Sequence, residues 1–201
     1  MSVKRHEELM EAFYRRPQVP PVAPALQERF RLESERRILD LCRILWKRWP
    51  LAALYGRALY GDAMSFGTAA HFPEVRRRAR NVDSAVALAF GQWIDSVGDS
   101  MLAGLKQYDE ARSGRGGGAR AATRREKLLL LRAGLGACRL LEFDFNVLSL
   151  ARTLEHYGNL HAPDAFICGL LPGSERQVLA FSSREGQVFA ADVTSLLVRG
   201  A

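Results

Sequence analysis

Arginine is the residue type whose spacing in this chain says most about chemistry. Arg76, Arg77, Arg78 and Arg80 form one cluster. Arg112, Arg115, Arg120, Arg124, Arg125, Lys127 and Arg132 form a second, in a stretch whose single acidic group is Glu126. A guanidinium donates two hydrogen bonds in a fixed fork and is weakly hydrated, which suits phosphate oxygens. Two such clusters predict contact with a nucleic-acid backbone, blind to base sequence and weakened steeply by salt. The expected contact residues are Arg76, Arg77, Arg78, Arg80, Arg115, Arg120, Arg124, Arg125 and Lys127. The same arginines are also consistent with a solvated face, an acidic protein partner or an anionic membrane surface. No aromatic residue interleaves residues 112–132, which counts against a stacking platform for single strands.

Other chemistry-bearing groups are sparse. His156, His161 and Asp164 match no standard metal-ligand spacing. Asp95 and Asp99 stand one helical turn apart but lack a second acidic pair, so a solvated or capping role is expected. Ser65, Ser149 and Ser182 lie in no G-x-S-x-G context. Cys42, Cys138 and Cys168 are odd in number and far apart, and read as buried, reduced thiols. No catalytic residue, metal site or cofactor is expected.

The scaffold for these arginines is the most apolar stretch of the chain, from Arg125 to Tyr157. Leu128, Leu131, Leu135, Cys138 and Leu141 recur at helical spacing, with Leu129, Leu130, Ala133, Ala137 and Leu140 widening the stripe. That pattern predicts a buried helix. Asp144 offers an N-cap for a second helix through Val147, Leu148, Ala151 and Leu154, closed by Gly158. The pair reads as a core helical hairpin.

Elsewhere a short helix is expected over residues 3–16, then an extended proline arm over 17–24. A helix follows from Ala25 to Trp49, with Leu26, Phe30, Ile38, Leu41, Leu45 and Trp49 inward and alternating charges outward. Pro50 breaks it, and a short helix runs to Gly61. Residues 62–73 read as a loop, with Pro73 opening a long helix to Arg112; Asn81 or Asp83 offers a fresh start within it. Gly91, Gly98 and Gly104 mark a kink or a close approach. Trp46, Trp49 and Trp93 fall on helical stripes and read as core, and one found exposed would instead suggest an interface anchor. The run from Ser113 to Ala119 is the clearest linker, and it lacks the signature of a phosphate-binding loop. QVLAFSS and QVFAADV flank Arg184-Glu185-Gly186 as a β-hairpin.

The fold class expected is therefore mainly α: a multi-helix bundle with a small C-terminal β-hairpin. The expected domains are an N-terminal helix and arm over 1–24, a bundle over 25–164 with a basic glycine-rich linker at 112–120, and a hairpin segment over 165–201. The chain has 201 residues, 48% hydrophobic and 25% charged, with a net charge of +7. These values suit a globular protein able to bury a core without metals or disulfides. No window reaches the roughly 18 apolar residues of a membrane span. The charged start, MSVKRHEELMEAF, is unlike a signal peptide. A cytoplasmic site is expected, or a nuclear one in a host with a nucleus.

The leading functional expectation is a non-catalytic helical binding or assembly subunit touching nucleic-acid phosphates. The alternative is a protein–protein adaptor, or a structural subunit of a viral or secretion assembly, without nucleic acid and with a protein partner or a second copy of itself. An enzyme with a site assembled from scattered residues ranks third.

Overall fold

The computed structural model describes Glu8 and residues 23–115, 119–135, 138–157, 176–184 and 187–194. The expected N-terminal helix and proline arm lie outside these residues, apart from Glu8 and the last two residues of the arm. So do Gly116, Gly117, Gly118, Gly158, His161, Asp164, Cys168 and the hairpin tip at Glu185 and Gly186. The described part is mostly helical, with a small three-stranded antiparallel sheet toward the C-terminus. The chain divides into two compact units, one ending at Asp99 and the other beginning at Ser100.

The first unit holds α1 (Pro24–Arg48), α2 (Pro50–Tyr60), α3 (Asp62–Arg76) and α4 (Val82–Val97). Pro24 and Pro50 each occupy a first helical turn, where the missing N–H would have had no partner. Gly61, at φ 54°, ends α2. The chain then restarts at once as α3, not as the loop expected over 62–73. Gly67, His71 and Pro73 gave that stretch its loop-like composition. Met64, Thr68 and Val75 are nonetheless buried at helical spacing, with Ser65 and Ala69 beside them. Pro73 sits in the last turn of α3 instead of opening the next helix, where its missing N–H removes one bond near an end that frays anyway. The long helix expected to follow is broken twice. Asn81 accepts the Ser84 amide at 2.8 Å and starts α4, and Gly98 closes α4 at φ 71°.

Trp49 and Phe90 are fully buried at the centre of this unit, their rings 5.5 Å apart. Phe90 stacks on Trp93 at 5.9 Å, and Tyr60 meets the edge of Trp93 at 5.5 Å. Gly67 is there because nothing larger fits. A Cβ at that position would lie 2.3 Å from the Trp93 ring.

The second unit holds α5 (Ser100–Arg112), α6 (Arg124–Arg132), β1 (Cys138–Phe143), α7 (Val147–Tyr157), β2 (Gln177–Arg184) and β3 (Gln187–Asp192). The expected helical hairpin is corrected here. α6 ends early because Gly134 takes φ 68°, with the Gly134 amide on the Leu131 carbonyl and the Leu135 amide on the Leu130 carbonyl. Cys138–Phe143 is then a strand, antiparallel to β2, with Leu140 opposite Ala180. Leu128 and Leu131, assigned by periodicity to the core, are 55% and 68% exposed. The physical reason for the misread strand is that neighbouring Leu140 and Leu141, on opposite faces of β1, are both buried, so the segment lacks the alternation that separates strand from helix. Leu140, Leu130, Ala180 and Val193 pack on one face. Tyr108 reaches Phe181 edge-on at 5.9 Å. The helix-opening cap is Asn146, whose side chain accepts the Ser149 amide at 2.9 Å, and not Asp144.

The hairpin strands fall on the two expected runs, QVLAFSS and QVFAADV, with Arg184 opposite Gln187. β1 adds the third strand. Gly104 is the close approach the sequence suggested: a Cβ there would lie 2.7 Å from the Phe145 ring.

Candidate functional site

The two arginine clusters have different surroundings, and these decide what each can do. In the first unit, Arg76 ends α3, and Arg77, Arg78 and Arg80 follow in the turn to α4. The turn is held from below. The Arg78 and Ala79 amides both donate to the Val75 carbonyl at 3.0 Å, and Ala79 packs on the small core of Val75, Ala85 and Ala89. The backbone is thus anchored while all four arginine side chains are exposed. None of the four makes an ion pair with a described residue, although Glu74 and Asp83 are close in sequence. Just beyond them, Asn81 caps α4, whose first amides carry partial positive charge.

In the second unit the basic stretch is divided. Arg112 pairs with Glu155 across α5 and α7 and lies 5.6 Å over the Tyr108 ring. Arg120 grips Glu126 with both terminal nitrogens, at 2.9 and 2.5 Å, and its Nε lies 3.4 Å from Glu142. Its own amide bonds the Leu140 carbonyl at 3.1 Å, tying the end of the linker to β1. Glu126 is 5% exposed. It also accepts the amide and hydroxyl of Thr123, which completes a capping box at the start of α6. The Arg120 bonds hold the Glu126 carboxyl down to about 2 against the desolvation that opposes them, with the Thr123 bonds adding to the effect. Arg120 therefore belongs to the framework of the unit.

The remaining basic groups there face outward. Arg115, Arg124, Arg125, Lys127 and Arg132 are exposed and form no ion pair with a described residue. Leu128 and Leu131 project from the same exposed side of α6, between these charges. Sequence reasoning placed the two leucines inside, so this mixed basic and apolar surface was missed. Their helical phase relative to the buried Glu126 and Leu130 was the available signal.

The other candidates are dispersed. Asp99 lies past the end of α4 and accepts the Tyr60 hydroxyl at 2.7 Å. Burial, then that bond, pushes the Tyr60 hydroxyl up to about 12. Asp95 is exposed on α4. Ser65 is buried with its hydroxyl 3.0 Å from the Cys42 sulfur, and Ser182 is buried in β2 opposite Cys138. Burial pushes the Cys138 thiol up, away from the nucleophilic thiolate. His156 is exposed at the end of α7. Trp49 and Trp93 are core, whereas Trp46 is 41% exposed. Among the described residues no group of three or more His, Cys, Asp and Glu could hold a metal ion. No described helix is long and apolar enough to cross a membrane. No protein family, curated protein or solved structure matches this chain.

Proposed function

We propose that this chain is a non-catalytic binding subunit that contacts nucleic-acid phosphates through its exposed arginines. The observation that carries the reading is the turn at Arg76, Arg77, Arg78 and Arg80. Four guanidinium groups stand in water on an anchored backbone, with no counter-ion among the described residues. Such a cluster is solvated at little cost and gains most from a polyanion, which releases counter-ions as it binds. Arg124, Arg125, Lys127 and exposed Arg115 extend the reading to the second unit. Arg120 contributes by holding the linker and α6 in place. Nothing in the arrangement reads bases, so binding tolerates any sequence.

The test is fluorescence anisotropy with labelled RNA and DNA oligonucleotides over a salt series. The triple variant Arg76→Glu, Arg77→Glu, Arg78→Glu is expected to bind about 100-fold more weakly at low salt. Its log–log salt slope should fall by about 2 to 3 on duplex. Replacing Arg124, Arg125 and Lys127 with glutamate should act in the same direction. Wild-type affinity in both variants, or binding indifferent to salt, removes the reading.

A second reading, a protein–protein adaptor, is favoured by Leu128 and Leu131. Phosphates give no reward for exposed leucines, whereas an acidic partner with an apolar pocket does. A complex that survives raised salt and is lost on Leu131→Glu supports this alternative.

A further inference from the structure

The outward face of α6 combines two properties that a polyanion alone does not use. Leu131 is the most exposed of the large apolar side chains among the described residues, and Leu128 is more than half exposed. Arg124, Leu128, Leu131 and Arg132 stand at i, i+4, i+7 and i+8 and so share one face, with Arg125 and Lys127 at its two margins. Glu126 and Leu130 occupy the opposite side and are buried. Glu126 is the one acidic residue of the helix, and the fold turns it inward onto Arg120. The face left outside is therefore cationic and apolar, with no acid on it. Arg124, Arg125, Lys127 and Arg132 pair with no described carboxylate.

The helix is set before any partner arrives. The capping box at Thr123 and the Arg120 bridge hold its first turn, and Leu130 seats it on Leu140, Ala180 and Val193. Binding through this face therefore orders no coil into helix.

Charge and polarity together choose the occupant. It is anionic, because four unpaired cations surround the leucines. It also offers apolar contact beside that charge, which a nucleic-acid backbone does not. Two leucines on a helix of nine residues are few for a stable protein interface, which buries about 1,200 to 2,000 Å² around a central cluster of anchors. A lipid bilayer sets no such minimum. Its mobile headgroups move to meet each guanidinium, and the acyl boundary about 5 to 10 Å below receives the leucines.

We infer that α6 lies flat on an anionic phospholipid surface, with Leu128 and Leu131 inserted and Arg124, Arg125, Lys127 and Arg132 on the headgroup phosphates. Two leucines make a shallow anchor, so the contact is peripheral and reversible. The inference is separate from the nucleic-acid reading, which rests on the turn at Arg76, Arg77, Arg78 and Arg80.

Flotation of the nuclease-treated full chain with vesicles tests it. Phosphatidylcholine vesicles with about 30 mol% phosphatidylserine should carry the chain at about 0.1 M salt, and phosphatidylcholine alone should leave it behind. Leu128→Gln with Leu131→Gln should lower partition about 10-fold at unchanged circular dichroism, since both positions are exposed. That variant should bind labelled oligonucleotides as the wild type does, so either reading can fail alone. Each of Arg124→Gln, Arg125→Gln and Arg132→Gln should lower partition about 5-fold. Leu131→Trp should be quenched by brominated acyl chains beyond the wild-type tryptophans. A chain left behind by the phosphatidylserine vesicles, or carried equally by phosphatidylcholine alone, overturns the inference. Flotation that the leucine variant retains in full also overturns it, since charge alone then accounts for the binding. A chain that ignores vesicles but binds a synthetic helical peptide of leucine and glutamate overturns it in favour of a protein partner.

Discussion

The turn at Arg76–Arg80 and the basic stretch at 112–132 look alike in composition and differ in what the fold does with them. In the first unit the backbone alone is anchored, through Val75 and Ala79, and the guanidinium groups are left outside. In the second unit Arg112 and Arg120 are drawn into the structure, each onto a carboxylate. Glu155, which holds Arg112, is as exposed as its partner, so for Arg120 alone the difference lies in the acid available. Glu126 is buried by the capping box of its own helix, and a buried carboxylate needs a cation beside it. Glu74 and Asp83 are exposed, stay in water and make no such demand. The same residue type is thus a framework part in one place and a free charge in the other.

The largest effect that would sharpen this contrast is at Glu126. Glu126→Ala leaves Arg120 with Glu142 alone, removes half the capping box, and should cost about 3 kcal/mol of stability by chemical denaturation. Arg77→Ala should change stability by less than about 0.5 kcal/mol. Equal, small effects at both positions would erase the distinction. The pH dependence follows the same logic. Its bonds to Arg120 hold the folded Glu126 carboxyl at about 2, below the ordinary value of 4.5. Its contribution is therefore present above pH 4.5 and fades as pH falls toward 2. Glu126→Gln should flatten that part of the stability profile.

Next in size is the pair of packed glycines. Gly67→Ala in the first unit meets the Trp93 ring, and Gly104→Ala in the second meets Phe145. Overpacking should outweigh the helix propensity gained, with losses of about 2 and about 1 kcal/mol in thermal or urea melts. A stabilised Gly67→Ala would contradict the close approach to Trp93.

The smallest effect is confined to the first unit. The Tyr60 hydroxyl is raised from 10 to about 12. The neutral, hydrogen-bonded form is favoured in the fold, so its contribution is complete below pH 10 and lost as pH rises through 12. Tyr60→Phe should cost about 1 kcal/mol at neutral pH and remove that alkaline loss. An unchanged alkaline profile would mean the bond to Asp99 contributes nothing.

Much of this was legible beforehand, and the exceptions have a common cause. Pro24, Pro50, Asn81, Gly61 and Gly134 act on their own backbone, so they punctuate the chain wherever they occur; the first three show their effect in the sequence pattern directly. The hairpin is similar, since two short strand-forming runs about a glycine turn are a local property. Cys138–Phe143 is not local. Its helical spacing was genuine, yet β2 supplies a ladder from some forty positions downstream, and Leu140 and Leu141 are buried on opposite faces of it. Residues 62–73 failed for the opposite reason: glycine and proline advertised a loop, while Trp93 and the end of α3 gave each a place inside a helix.

By itself, then, the sequence determined the helical class, most of the chain breaks, the hairpin and the existence of two arginine-rich stretches, because each depends on residues close together in the chain. Which arginines stay free, which leucines face water and which apolar run becomes a strand were decided only by tertiary structure. Those outcomes depend on what a side chain meets across space, and Glu126, Glu155 and Ala180 meet their partners only once the chain has folded.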